Sequence, residues 1–172
     1  MLAIASAFFF VGVPQGQSAG ELITKVPQDA TAKTLAGKTV SIADYKGKLV
    51  FMNIWRVDCI ACLMEIPILN KLQEDYSSQD FTVIGVAVDR EKNRQVGDIV
   101  KKANIRYPVW LAHGQPLIKY VDVQYTPFLI VLGPEGEVIG TLVGAFPDYT
   151  SAVSIMNQAR DIMKKAKAAK SP

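Results

Sequence analysis

The stretch LVFMNIWRVDCIACLMEIP, residues 49–67, decides how this chain is read. Leu49 to Trp55 is an apolar run broken only by Asn53, the pattern of a strand buried on both faces. From Cys59 onward, Leu63, Ile66, Leu69, Leu72 and Tyr76 recur at spacings of three and four, which predicts a helix carrying Pro67 inside it. A strand therefore runs into a helix, and Cys59-Ile60-Ala61-Cys62 stands at the junction. At a helix amino terminus the unpaired N–H groups and the dipole stabilise an anion, so the first cysteine is favoured as a thiolate nucleophile near neutral pH. The spacing places the second cysteine one turn on, within reach of the first sulfur.

Outward from this junction the pattern alternates. Phe81 to Val88 (FTVIGVAV) is a second buried strand, and Val96, Ile99, Val100 and Ala103 mark a helix face ending near Asn104. Tyr107 to Leu111 predicts a short strand and Gln115 to Tyr120 a short helix. Phe128 to Leu132 and Glu137 to Val143 are strands joined by Gly133-Pro134-Glu135-Gly136, a hairpin signature. Tyr149, Ala152, Val153, Met156 and Met163 give the last helix its apolar stripe, with Asp148 placed to cap it. Upstream, residues 28–47 are small and polar, with an extended piece around Thr39 to Ile42. Helix-length links between the early strands imply parallel neighbours with right-handed crossovers, and the hairpin adds antiparallel ones. The expected fold is α/β: one mixed central sheet with helices on both faces.

Composition narrows the function. The 172 residues are 49% hydrophobic and 20% charged, which supports a packed core and argues against disorder. Cys59 and Cys62 are the only cysteines, which excludes a multi-disulfide scaffold and a four-cysteine zinc site. No segment repeats at a fixed spacing, so a solenoid is out. The net charge of +3 sits at the carboxyl end: Arg160, Lys164, Lys165, Lys167 and Lys170 against Asp161 make +4, leaving −1 for the rest. The body has no basic patch of the kind nucleic acid requires. Before the first charged residue, Glu21, Leu2 to Val13 form a mostly apolar run of 12 residues, followed by small residues at Ser18-Ala19-Gly20. Residues 1–20 thus predict a signal peptide or amino-terminal anchor, and residues 21–172 the folded domain. No Lys or Arg precedes the run.

Asn53 to Pro67, with Cys59-Ile60-Ala61-Cys62 at its centre, resembles the active-site segment of thioredoxin-like proteins. More narrowly it is similar to the extracytoplasmic TlpA/ResA group, which shares a Glu three residues after the second cysteine (here Glu65) and a Pro two further on (Pro67). Tyr125 to Ile130 resembles the stretch holding the family's cis-proline, and Gly133 to Ile139 the hairpin after it. The resemblance covers about Gly37 to Lys165. It implies a thioredoxin fold with an amino-terminal extension and a central insertion between Cys62 and Pro127. It further implies dithiol–disulfide exchange in which Cys59 attacks and Cys62 resolves. Pro127 in cis would hold the backbone of Thr126 for substrate, with Trp55 on the substrate side. Plain thioredoxins carry an acid where Asn53 stands, so Glu65, one turn past Cys62, is the expected proton carrier.

Two departures bear on redox poise. Asp58 stands where the group has Trp, and an anion there opposes the helix terminus. The pair between the cysteines, Ile60-Ala61, has neither proline nor histidine. The implied partners are client proteins with disulfides, apocytochromes among them, and an upstream membrane thiol electron donor. No cofactor, metal or nucleic acid is expected. The expected protein is a monomer, periplasmic or otherwise extracytoplasmic, with membrane association through its amino terminus. Two other readings stand beside this one. A peroxiredoxin-like peroxidase would want Pro and Thr ahead of the reactive cysteine, which Arg56-Val57-Asp58 does not supply. A copper-binding module would use Cys59, Cys62 and His113 as soft ligands.

Overall fold

Leu49–Trp55 forms strand β3 with all seven residues buried, as a continuous apolar run should at the centre of a sheet covered on both faces. The computed structural model describes residues 25–90 and 93–169, so the expectation for residues 1–20 lies outside the described residues. In chain order the elements are β1 (Thr31–Thr34), β2 (Thr39–Ser41), a 3-10 turn (Ile42–Tyr45), β3, α1 (Ile60–Tyr76), β4 (Phe81–Ala87), α2 (Asn93–Lys102), β5 (Val109–Leu111), α3 (Ile118–Val121), β6 (Phe128–Leu132), β7 (Val138–Val143) and α4 (Tyr149–Ala169). The sheet runs in the order β2-β1-β5-β4-β3-β6-β7. β3, β4 and β5 are parallel, while β6 lies antiparallel to β3 and β7 antiparallel to β6.

Strand alternation divides the core in two. Leu49, Phe51 and Trp55 of β3, Phe81, Val83 and Ala87 of β4, and Leu129 and Val131 of β6 face one side. Val50, Met52 and Ile54, then Ile84 and Val86, then Ile130 and Leu132 face the other. Helices cover both faces, as expected, but unevenly. α1, α2 and α4 share the first side through Leu69 and Leu72, Val96, and Ala152, Met156 and Ala159. The second side has only the 3-10 turn and α3, through Ile42, Leu117 and Val121. Crossover handedness explains this: β3 to β4 and β4 to β5 step the same way along the sheet, so two right-handed crossovers put α1 and α2 on one face.

One strand differs from the sequence reading. Thr31–Thr34 pairs with both β2 and β5, although TAKT offers little strand signal; its single core residue is Ala32. Gly85, in the middle of β4, is required by packing. A Cβ there would lie 2.9 Å from Tyr107 Cε2 and 3.2 Å from Trp55 Nε1. The last helix begins as expected, with the Asp148 carboxylate accepting from the Ser151 N–H at 2.7 Å.

Candidate active site

The site forms where β3 ends. After Trp55 the chain crosses Arg56, Val57 and Asp58 and enters α1 with Cys59 as its N-cap residue. The Cys59 sulfur accepts from the Cys62 backbone N–H at 3.1 Å, taking the place a Ser or Asp oxygen fills in other helices. The two cysteines form a disulfide with their Cα atoms 5.2 Å apart. They differ in access: Cys62 is 2% exposed, whereas Cys59 is half-buried. Beside them Ile60 and Met64, one turn apart on the outer face of α1, are 75% and 73% exposed.

The crossing loop is fastened at two points. Both carboxylate oxygens of buried Asp89, just past β4, accept from the Val57 N–H, at 3.2 and 3.1 Å. The Arg56 guanidinium donates to the Val123 carbonyl at 3.2 Å, so this cation reaches across to the segment leading into β6. That segment holds the only cis peptide bond among the described residues, Thr126–Pro127. Phe128 is the register partner of Ile54, which sets Pro127 beside Trp55 at the strand end from which the cysteine loop departs. Pro127 is buried, Thr126 half-buried and Tyr125 69% exposed. Two backbone walls thus flank the cysteines, one from the end of β3 and one from the start of β6.

Beneath the cysteines lies a buried polar cluster. Glu65, 2% exposed, shares the inner face of α1 with Cys62. Its Oε2 accepts from Asn53 Nδ2 at 3.2 Å and its Oε1 from the Phe146 N–H at 3.1 Å. Burial outweighs these two donors and pushes the carboxyl up to about 7. Tyr107 closes the cluster from the strand-β5 side; burial, and then the nearby Glu65 charge, push its hydroxyl well above the ordinary range. Asn53 Oδ1 and Trp55 Nε1 are buried without a hydrogen-bond partner.

The structure therefore brings Cys59, Cys62, Glu65, Thr126 and Pro127 to one end of the sheet. Trp55, expected on the substrate side, is 3% exposed and packs against the Gly85 and Tyr107 positions as support under the site. His113 follows β5 and is exposed, and no group of three metal-ligating side chains occurs among the described residues. The copper ligand set of Cys59, Cys62 and His113 is thus not assembled. Asp89 and the Phe146 N–H escaped the sequence reading. An acid directly after a buried strand (FTVIGVAV, then Asp89) was the available signal for the first, and a backbone donor leaves none.

The chemistry open to this arrangement is nucleophilic: a partly exposed sulfur at a helix terminus, a protected second sulfur, and a carboxyl able to hold or release a proton near neutral pH. A Redoxin domain matches residues 21–159. The thiol-disulfide oxidoreductase ResA of Bacillus thuringiensis is 32% identical over 110 residues, which is 64% of this chain and 63% of that protein. The chain thus spans somewhat less than two thirds of that relative's length. A thiol:disulfide interchange protein of the thioredoxin family from Chlorobium tepidum superposes with a TM-score of 0.68 at 30% identity, covering 79% of this chain and 95% of the other. A thiol:disulfide interchange protein from Bacteroides sp. gives 0.61 at 26%, covering 69% and 78%.

Proposed function

The chain belongs to the Redoxin family, in its TlpA/ResA-type thioredoxin-like branch, and from that premise we propose a thiol–disulfide oxidoreductase that reduces disulfides in exported client proteins. The observation that carries this reading is the asymmetric pair: Cys59 half-buried at the N-cap of α1, Cys62 sealed at 2% exposure behind it. In the reduced protein the Cys59 thiolate, favoured by the Cys62 N–H and the helix terminus, attacks one sulfur of the client disulfide. The client S–S bond breaks, a mixed disulfide forms, and the departing client sulfur takes up a proton. Cys62 then gives its thiol proton to the Glu65 carboxylate and attacks Cys59. The mixed disulfide breaks and the second client sulfur leaves as a thiolate. Two electrons have passed from the Cys59–Cys62 dithiol to the client.

In this reading the backbone of Thr126, presented by cis-Pro127, aligns the client chain against the cysteines. Trp55 acts from below, as packing. The apolar run Leu2 to Val13 supports work outside the cytoplasm, delivered by cleavage or by an anchor. The client class suggested by the resemblance includes apocytochromes awaiting haem, with a membrane thiol protein as electron donor and a monomeric working unit. Insulin reduction driven by dithiothreitol tests the activity, and Cys62→Ala should trap clients as mixed disulfides on Cys59. An unsubstituted protein no faster than dithiothreitol alone, or a Cys59→Ser variant as active as its parent, overturns the reading.

A further inference from the structure

Glu65 accepts two hydrogen bonds, an arrangement that suits a carboxylate and gives a carboxylic acid's O–H no place among them. A protonated Glu65 has an O–H that needs an acceptor inside a closed core. The Phe146 N–H cannot change its role, because a backbone amide nitrogen only donates. The Asn53 side chain can, since its planar amide carries a donor and an acceptor on opposite arms and half a turn about Cβ–Cγ exchanges them. In the structure its donor arm meets Glu65 Oε2 at 3.2 Å, and its acceptor arm, Oδ1, is buried without a partner. Leaving a buried acceptor unmade is costly, and native proteins seldom do so without a reason.

We propose that Asn53 is the positioning residue for the Glu65 proton: its amide turns over with each protonation, offering Nδ2 to the carboxylate and Oδ1 to the acid. The unpaired oxygen is then the half of the amide that waits for the other state. The inference rests on the dithiol-exchange reading, in which Glu65 accepts the Cys62 proton in every turnover. A partner that reverses its role serves both states of Glu65 as the proton comes and goes. Asn53 stands in the central strand opposite Gly85, whose missing side chain leaves room for the Tyr107 and Trp55 rings beside the cluster.

The titratable groups facing Glu65 are few. Cys62 lies on its own helix, Tyr107 reaches in beside β5, and the segment after β7 contributes only the Phe146 backbone. In the disulfide form neither cysteine titrates and Tyr107 stays protonated, so Glu65 can be followed by itself. Carboxyl-carbon and side-chain amide NMR of the oxidised protein is the test. Well above the Glu65 midpoint, the Asn53 amide protons should show cross-relaxation to the Glu65 side chain. Well below it that contact should vanish, with the two events sharing one midpoint. Retention of the contact on both sides while the Glu65 carbon titrates overturns the proposal. Asn53→Leu takes a partner from both states of Glu65, so the Glu65 midpoint should move upward by less than about half a pH unit. A folded Asn53→Leu protein whose midpoint climbs by about a full pH unit or more also overturns it, because that shift marks a donor fixed toward the carboxylate. If that variant does not fold, the NMR result on the unsubstituted protein decides. An unsubstituted protein that fails to reduce insulin would strike the parent reading alone, because the amide test needs no catalysis.

Discussion

Glu65 carries its proton question into stability. Its carboxyl sits near 7 in the folded chain against an ordinary 4.5, because burial disfavours the charged form. A folded value raised above the unfolded one adds stability that is full below about pH 4.5 and is lost as pH rises through about 7. At 1.36 kcal/mol per unit the swing is on the order of 3 kcal/mol. Glu65→Gln, which cannot ionise, should lose this slope and become the more stable protein above pH 7, as urea midpoints on either side would show. Equal slopes in the two proteins would return Glu65 to an ordinary carboxylate. The cysteines make a companion case. With Cys62 2% exposed and Cys59 at the open N-cap, iodoacetamide should modify Cys59 first in the reduced protein. Equal rates, or Cys62 first, would reverse their roles. Both cysteines were legible in the sequence, because a two-residue gap at a strand–helix junction is a local fact, whereas Glu65 came from the resemblance together with its one-turn spacing from Cys62. Asp89 was not, because its bond to Val57 joins segments that only the sheet makes neighbours.

Elements with strong periodicity could be read directly. β3 and β6 fall on the expected residues, and α1, β4 and α4 need adjustment only at their ends. β1 could not be found this way, since Thr31–Thr34 is a strand by virtue of its partners and contributes little of its own. The uneven cover of the two faces was hidden for the same reason: it follows from strand order, and strand order is a property of pairing. β4 supplies the prediction at this scale. Gly85→Ala would set a methyl 2.9 Å from Tyr107 and 3.2 Å from the Trp55 indole, inside a close-packed strand. Overpacking of this kind costs about 1–3 kcal/mol, and here the ring that must yield stands near Glu65. Thermal unfolding should fall accordingly, and Trp55 fluorescence should change with it. A variant with its parent's stability and emission would show that the rings part freely.

At the scale of the whole molecule the question is the direction of electron flow. A dithiol becomes a strong oxidant when its reduced form is specially stabilised. Ile60 and Ala61, both exposed, offer the Cys59 sulfur no charge and no side-chain donor, and Asp58 is an acid. The one nearby cation on the loop, Arg56, is engaged by the Val123 carbonyl on the opposite wall. What remains is the helix terminus, worth about 0.3–1 kcal/mol when exposed and about 2 when partly buried. With about 30 mV per 1.4 kcal/mol, that moves the potential by only tens of millivolts. The midpoint at pH 7 should therefore lie nearer about −270 mV than about −120 mV, measured by equilibration in thiol–disulfide buffers. A value above about −180 mV would make this protein an oxidant or isomerase. The two walls of the site have a further consequence, in time. One wall ends β3 and the other begins β6, adjacent in the sheet yet far apart along the chain. A chain emerging amino-terminus first presents both thiols well before β6 arrives. Until β6 has joined β3, the cysteine pair has only the first of its two walls.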